Sequence, residues 1–183
     1  MFIINKEFKH PQYLHFAGGP MDHSKSIKDN VYYSYALDAQ LKRDYDTAIE
    51  YYRSALMKSP DDLNIYFNMG MIYKKKRMYD KAIEIYNKAL VTHAGDPDLL
   101  FNLGMSYEAI EEFDKAIQAY LEAVKSDPEY IQCYYHTGKI YDKQGKEDKA
   151  TEMFAKVLEI APEYFDSISE LGYSEKVKEY RKK

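Results

Sequence analysis

The sequence predicts an all-α protein, a solenoid of stacked helix–turn–helix units. Three observations predict it. Four alanines, Ala48, Ala82, Ala116 and Ala150, recur at a constant spacing of 34 residues, and a fixed period of this size marks stacked repeats. The columns around them align without a gap. An aromatic follows each alanine by four residues (Tyr52, Tyr86, Tyr120, Phe154), and a small residue precedes it by twelve (Ala36, Gly70, Gly104, Gly138). Each unit also holds two apolar segments at helical spacing, such as Tyr66, Met69 and Tyr73, then Tyr79, Ala82, Ile83, Tyr86 and Leu90. No unit of this kind buries its apolar face alone, so the units must stack.

Residues 1–28 belong to no repeat. They carry Phe2, Ile3, Ile4, Phe8, Tyr13, Leu14 and Phe16, and Gly18-Gly19-Pro20 separates this apolar stretch from the first repeat. Three readings stay open for this segment: a cap over the first repeat, a leader preceding Met21, or a tethered ligand for the groove of this or a neighbouring molecule. The repeats occupy approximately 29–62, 63–96, 97–130 and 131–164. Gly70 and Gly104 fall inside a first helix, where glycine costs about 1 kcal/mol relative to alanine. That cost is explained if a neighbouring helix comes close there, with Ala82 and Ala116 as its small partners. A column of Pro60, Ala94, Pro128 and Pro162 stops the second helices. Residues 165–183 start like a fifth repeat, with Ile168, Leu171 and Gly172, then turn charged. They read as a capping helix that gives the stack a polar end.

These columns resemble the tetratricopeptide repeat over about Asp29 to Pro162. Its large-aromatic column is filled by Tyr32, Tyr66, Leu100 and Tyr134, and its Leu-Gly pair by Tyr35-Ala36, Met69-Gly70, Leu103-Gly104 and Thr137-Gly138. Ala39 in place of Tyr and Ala94 in place of Pro are further departures. The resemblance implies a right-handed solenoid of four repeats and a role in protein–protein interaction. One subset of the family clamps two carboxylates with Lys and Asn on the first helix, Asn on the next, and Lys and Arg on the third. Here those positions hold Tyr33, Leu37, Asn68, Asp98 and Asn102, or Phe67, Met71, Asn102, Gln132 and His136. Only the central Asn survives, so that function is not expected.

Composition narrows the field. The chain has 183 residues and a net charge of −4, which argues against a general nucleic-acid binder. The single cysteine, Cys133, cannot form an internal disulfide, and a cytoplasmic location is expected. No apolar run is long enough to cross a membrane, and the N-terminus lacks a signal-peptide pattern. The five histidines are scattered, without metal-ligand spacing. No phosphate loop or nucleophile motif is present. No catalysis, cofactor or metal is expected. The basic run Lys74 to Arg77 reads as a solvated helix end complementing the helix dipole.

Stacked pairs curve, and their first helices line the concave face. The Tyr66, Met69, Tyr73 type of stripe already supplies each first helix with a core. A second stripe remains: Tyr33, Phe67, Phe101 and Tyr135, and four residues on, Leu37, Met71, Met105 and Lys139. Asn68, Asn102 and His136 run between. The expected site is a groove in which the aromatics make apolar contact and the methionines adapt to varied side chains. Asn is a poor helix former whose amide matches a peptide backbone. By resemblance, Asn68 and Asn102 grip the ligand main chain. Phe101→Ala is therefore expected to cost binding rather than stability. The expected partner is a protein or an apolar or amphipathic peptide. The alternative is a structural subunit that self-associates, its groove filled by its own or a neighbour's N-terminal segment.

Overall fold

The computed structural model describes residues 30–180 and 182; the three readings of residues 1–28 lie outside that range. The described residues are helical throughout, joined by short turns. In order the helices are α1 (Val31–Leu41), α2 (Tyr45–Lys58), α3 (Leu63–Lys75), α4 (Tyr79–Thr92), α5 (Pro97–Ala109), α6 (Phe113–Ser126), α7 (Ile131–Lys143), α8 (Glu147–Ile160), α9 (Phe165–Glu170) and α10 (Ser174–Tyr180). The described residues divide into two compact units, a first up to Asn68 and a second from Met69, with the boundary inside α3.

In the first unit, α1 and α2 form one pair. Asn30 caps α1 by accepting from the backbone N–H of Tyr33, and its Nδ2 donates to the Ala55 carbonyl at 2.9 Å. One side chain thus ties the start of α1 to the end of α2. Tyr33 lies against Tyr52, ring centroids 5.8 Å apart, and both are buried with Ala36, Ala48 and Ala55. Asp44 caps α2 through the Thr47 N–H. A side-chain oxygen at this position satisfies a backbone donor that the helix itself cannot.

In the second unit α5 packs on α6 and α7 on α8, and α4 and α6 pack on the first helices that follow them. Glycine serves the pairing of first and second helices. A Cβ on Gly70, Gly104 or Gly138 would fall 2.4, 2.5 or 2.7 Å from the ring of Tyr86, Tyr120 or Phe154. The close approach at these glycines is therefore made by the aromatic column of the second helix; the alanines one turn earlier, expected in that role, are buried alongside. The turn inside each repeat also recurs. The N–H of Met78 reaches the Tyr73 carbonyl while that of Arg77 reaches Lys74, and the same two bonds close the turns after α1, α5 and α7. This double bond needs a left-handed residue just past the helix. Arg43, Arg77 and Glu111 hold it at φ 62°, 57° and 60°, and only the fourth copy uses glycine, Gly145.

The C-terminal segment, read from the sequence as one helix, is two short ones broken at Leu171–Tyr173, with Gly172 at φ 79°. Ile168, Tyr173 and Val177 are buried, and the Tyr173 ring lies tilted against Phe154, centroids 4.8 Å apart. Lys176 pairs with Glu147 on α8 at 2.8 Å.

Candidate functional site

The predicted site residues divide by burial. In the first unit, Leu37, Phe67 and Asn68 are partly exposed, whereas Tyr33 is fully buried against Tyr52. Asn68 donates to the Tyr33 hydroxyl at 3.2 Å and to the Asn64 carbonyl at 2.9 Å. In the second unit, Met71, Met105 and His136 are partly exposed and Lys139 is exposed, its Nζ 5.6 Å from the centre of the Tyr135 ring. Phe101, Asn102 and Tyr135 are buried.

That burial corrects the expectation that the whole stripe stands open. Phe101 lies among Tyr120, Tyr130 and His136, with ring centroids 5.4–5.7 Å away. Tyr135 lies against Phe154 and Tyr164. Tyr33, Phe101 and Tyr135 are interior side chains. Conversely Tyr32, assigned to the core, is 36% exposed. The physical reason is that a first helix inside a stack has neighbours on several sides. On α5 buried positions run from Leu99 to Gly104 without a break, and a helix so enclosed needs apolar residues nearly all round.

Asn102 needs the same correction. Its Nδ2 donates to the Asp98 carbonyl at 2.8 Å and its Oδ1 accepts from Lys74 Nζ at 2.8 Å. Both ends of the amide are therefore used within the chain. Lys74 in turn is not the solvated helix-end residue that the basic run suggested; it is partly buried and bridges α3 to α5. Burial lowers its pKa from the usual 10.5 to about 8.

A second bridge repeats this spacing one unit on. His136 Nδ1 lies 2.9 Å from Glu108 Oε2, joining α7 to α5. The same Glu108 oxygen accepts from the Tyr120 hydroxyl at 2.8 Å. Burial raises the Glu108 pKa, but the bond and charge of His136, the Tyr120 bond and the charge of Lys139 outweigh it, so the net shift is downward. Cys133 is buried and unpaired, and its thiol pKa is pushed up by burial first, then by Asp127 and Asp98. Among the described residues no three metal-ligating side chains come together.

The first-helix face of the second unit thus presents Met71 and Met105, with Lys74, His136 and Lys139 as its polar members. Sequence reasoning missed Lys74 and Glu108. A signal for them existed: Gln40, Lys74, Glu108 and Asp142 form another 34-residue column, each twelve residues before the aromatic that packs on the small residue.

Repeat pattern, paired helices and close-packed small residues define a class, and comparison with known proteins agrees. The family model described as Tetratricopeptide repeat matches residues 61–128 and 98–163, together more than half the chain. The chain belongs to the tetratricopeptide repeat family. Among solved structures it is similar to two crystal structures of MamA. One is 26% identical, with TM-score 0.68, over 80% of this chain and 90% of that one. The other is 25% identical, with TM-score 0.70, over 87% and 90%. MamA from Desulfovibrio magneticus RS-1, residues 41 to end, shares the fold at 24% identity and TM-score 0.65, over 72% and 75%. No curated protein matches the chain. Membership of this family supports a protein-interaction scaffold, and proteins of the family are typically non-enzymatic. Among the described residues no helix is long and apolar enough to cross a membrane.

Proposed function

We propose that the chain is a non-enzymatic scaffold that holds an apolar or amphipathic segment of a partner protein on the first-helix face of residues 69–143. The carrying observation is the position of Met71 and Met105. They sit one repeat apart in the same register, both partly exposed, beside a buried frame. Methionine adapts to varied apolar side chains, and the frame beneath keeps the two at a fixed spacing. His136 and Lys139 set the polar end. Phe101, Asn102, Tyr33 and Tyr135 act from behind, by holding the helices that carry the exposed residues. A cytoplasmic location fits a chain whose one cysteine is buried and unpaired. The test is fluorescence anisotropy with a panel of amphipathic peptides. Met71→Glu with Met105→Glu removes binding and leaves the unfolding midpoint in place; equal binding by wild type and the double variant removes the proposal.

A second reading has its own observation. On α1, Val31 is 53% and Tyr35 50% exposed, an apolar face on the first helix of the first described pair. A self-associating subunit, with such a face or the groove covered by an N-terminal segment, accounts for it. Sedimentation velocity distinguishes the two: self-association that depends on residues 1–28 and survives Met71→Glu with Met105→Glu favours assembly.

A further inference from the structure

The open side of the α1–α2 pair has buried counterparts in later repeats. On α1, Val31, Tyr35 and Asp38 follow one another at intervals of four and three and share one helix face. The same columns hold Leu99, Leu103 and Ser106 on α5, and Cys133, Thr137 and Ile140 on α7, and all six are buried. Both of those helices pack against the second helix of the preceding repeat, α5 on α4 and α7 on α6. No described helix precedes α1, and its Val31 and Tyr35 are half exposed. The open face continues onto α2. Tyr35 lies against Tyr51, ring centroids 5.4 Å apart, and Tyr51 is partly exposed where its counterparts Ile85 and Ala119 are buried.

Apolar side chains that share a register and face water call for a cover, and the chain itself narrows the choice of occupant. A second copy stacking end to end would have to bring a second helix with a bare outer side. The last one, α8, is covered by the segment that follows it: Tyr173 lies against Phe154, and Lys176 pairs with Glu147. The chain carries another occupant. Ile3, Ile4, Phe8, Tyr13, Leu14 and Phe16 precede α1, and residues 17–29 join them to it. A stretch of that length reaches at most about 43 Å, against about 17 Å for the 11 residues of α1. A segment tethered within reach competes at an effective concentration on the order of millimolar, far above that of a second copy in dilute solution. We propose that the apolar segment of residues 3–16 folds back in cis and covers the Val31, Tyr35 and Tyr51 face, standing where later repeats have a preceding second helix.

The occupant is a cap and not a further repeat. One period before Ala48 and Tyr52 stand Leu14 and Gly18, and Gly18-Gly19-Pro20 falls where a second helix of the same register would run. The chemistry of the face suits such a cover. Tyrosine rings give apolar contact while their hydroxyls stay wet, so Tyr32, Tyr35 and Tyr51 tolerate an edge that water reaches. At the far end Asp38 pairs with Lys42 at 2.6 Å and bounds the apolar patch with charge. The proposal starts from the same open α1 face as the assembly reading but places its occupant within one chain. The methionine face plays no part in it, so each reading can fail alone.

The experiment uses the full chain, which has no tryptophan, so Tyr35→Trp places a single fluorescent reporter on the face. The segment is disabled by Ile3→Ser, Ile4→Ser, Phe8→Ser, Tyr13→Ser, Leu14→Ser and Phe16→Ser together. Acrylamide quenching of the reporter rises several-fold on these six substitutions, equally at every protein concentration. Met57→Trp, at a position 86% exposed on α2, is the control and is quenched alike with and without them. Amide hydrogen exchange needs no reporter: the six substitutions lower the protection of α1 several-fold and leave α5 to α8 unchanged. Either readout moving in this way at low concentration supports the cis cover. Both readouts unmoved overturn it. Shielding of the reporter that appears only as concentration rises, with faster sedimentation, gives the face to a second copy and also overturns it. Met71→Glu with Met105→Glu leaves the reporter unchanged, which keeps failure of this proposal apart from failure of the methionine face.

Discussion

Lys74→Met should stabilise the folded chain near neutral pH, and the gain should vanish in mild alkali. Folding lowers the Lys74 pKa from 10.5 to about 8. Each unit is worth 1.36 kcal/mol, so holding the ammonium charged in the fold costs up to about 3 kcal/mol below pH 8. Methionine removes that cost and the Asn102 bond, whose loss returns about 1 kcal/mol. The net expectation near pH 7 is about 2 kcal/mol in favour of the variant. Between the two pKa values the unfolded chain binds more protons at Lys74 than the folded one, so wild-type stability rises with pH. By about pH 9.5 roughly 2 kcal/mol has been recovered, and the two proteins should unfold together. Urea denaturation of both across this range is the assay, the difference cancelling tyrosine effects common to both. A stability difference constant with pH would refute the reasoning, because it would place the Lys74 ammonium in water.

Other expectations rest on the same contacts. Phe101→Ala, buried among three rings, should destabilise by about 3–5 kcal/mol in chemical denaturation, as much as a core truncation at Leu103. Gly104→Ala puts a methyl against the Tyr120 ring and should cost about 1–3 kcal/mol by overpacking, with part of the loss recovered in Gly104→Ala with Tyr120→Leu. Arg77→Gly should raise stability by about 0.5–1 kcal/mol in urea denaturation: Arg77 holds a left-handed turn conformation that costs a side-chain-bearing residue about 1–2 kcal/mol, of which the extra backbone entropy glycine loses on folding takes back about 0.5–1. The depressed Glu108 pKa means that its contribution is fully present above the ordinary glutamate range and is lost as pH falls through the folded value. His136→Gln should therefore flatten the acid limb of the stability profile, measured by urea midpoints from neutral pH downward.

The repeat is legible because its period is covalent. Thirty-four residues separate Ala48, Ala82, Ala116 and Ala150 whatever the packing, and the glycine column announces close approach before any contact is known. The candidate site is legible only in part. Phe101 and Met105 look alike as surplus apolar residues on one helix, but a helix enclosed by neighbours draws Phe101 inward and leaves Met105 at the edge. Helical angle alone does not distinguish them, since burial depends on which helices flank α5. Asn102 stands out in the sequence as unusual, yet its partner, Lys74, lies 28 residues away in a run whose composition suggests solvent. The left-handed turns at Arg43, Arg77 and Glu111 are hidden because their residues carry no turn signature; only Gly145 shows it.

The central claim is that the first-helix face of residues 69–143 receives the partner. Its most direct test is methyl NMR of the methionines during titration with a peptide that binds. Met71 and Met105 lie on that face, while Met57 on α2, 86% exposed, is the most open large apolar side chain among the described residues. The account predicts that the Met71 and Met105 methyls shift together along one saturation curve while Met57 stays still. Saturating shifts at Met57, with Met71 and Met105 unmoved, would contradict it.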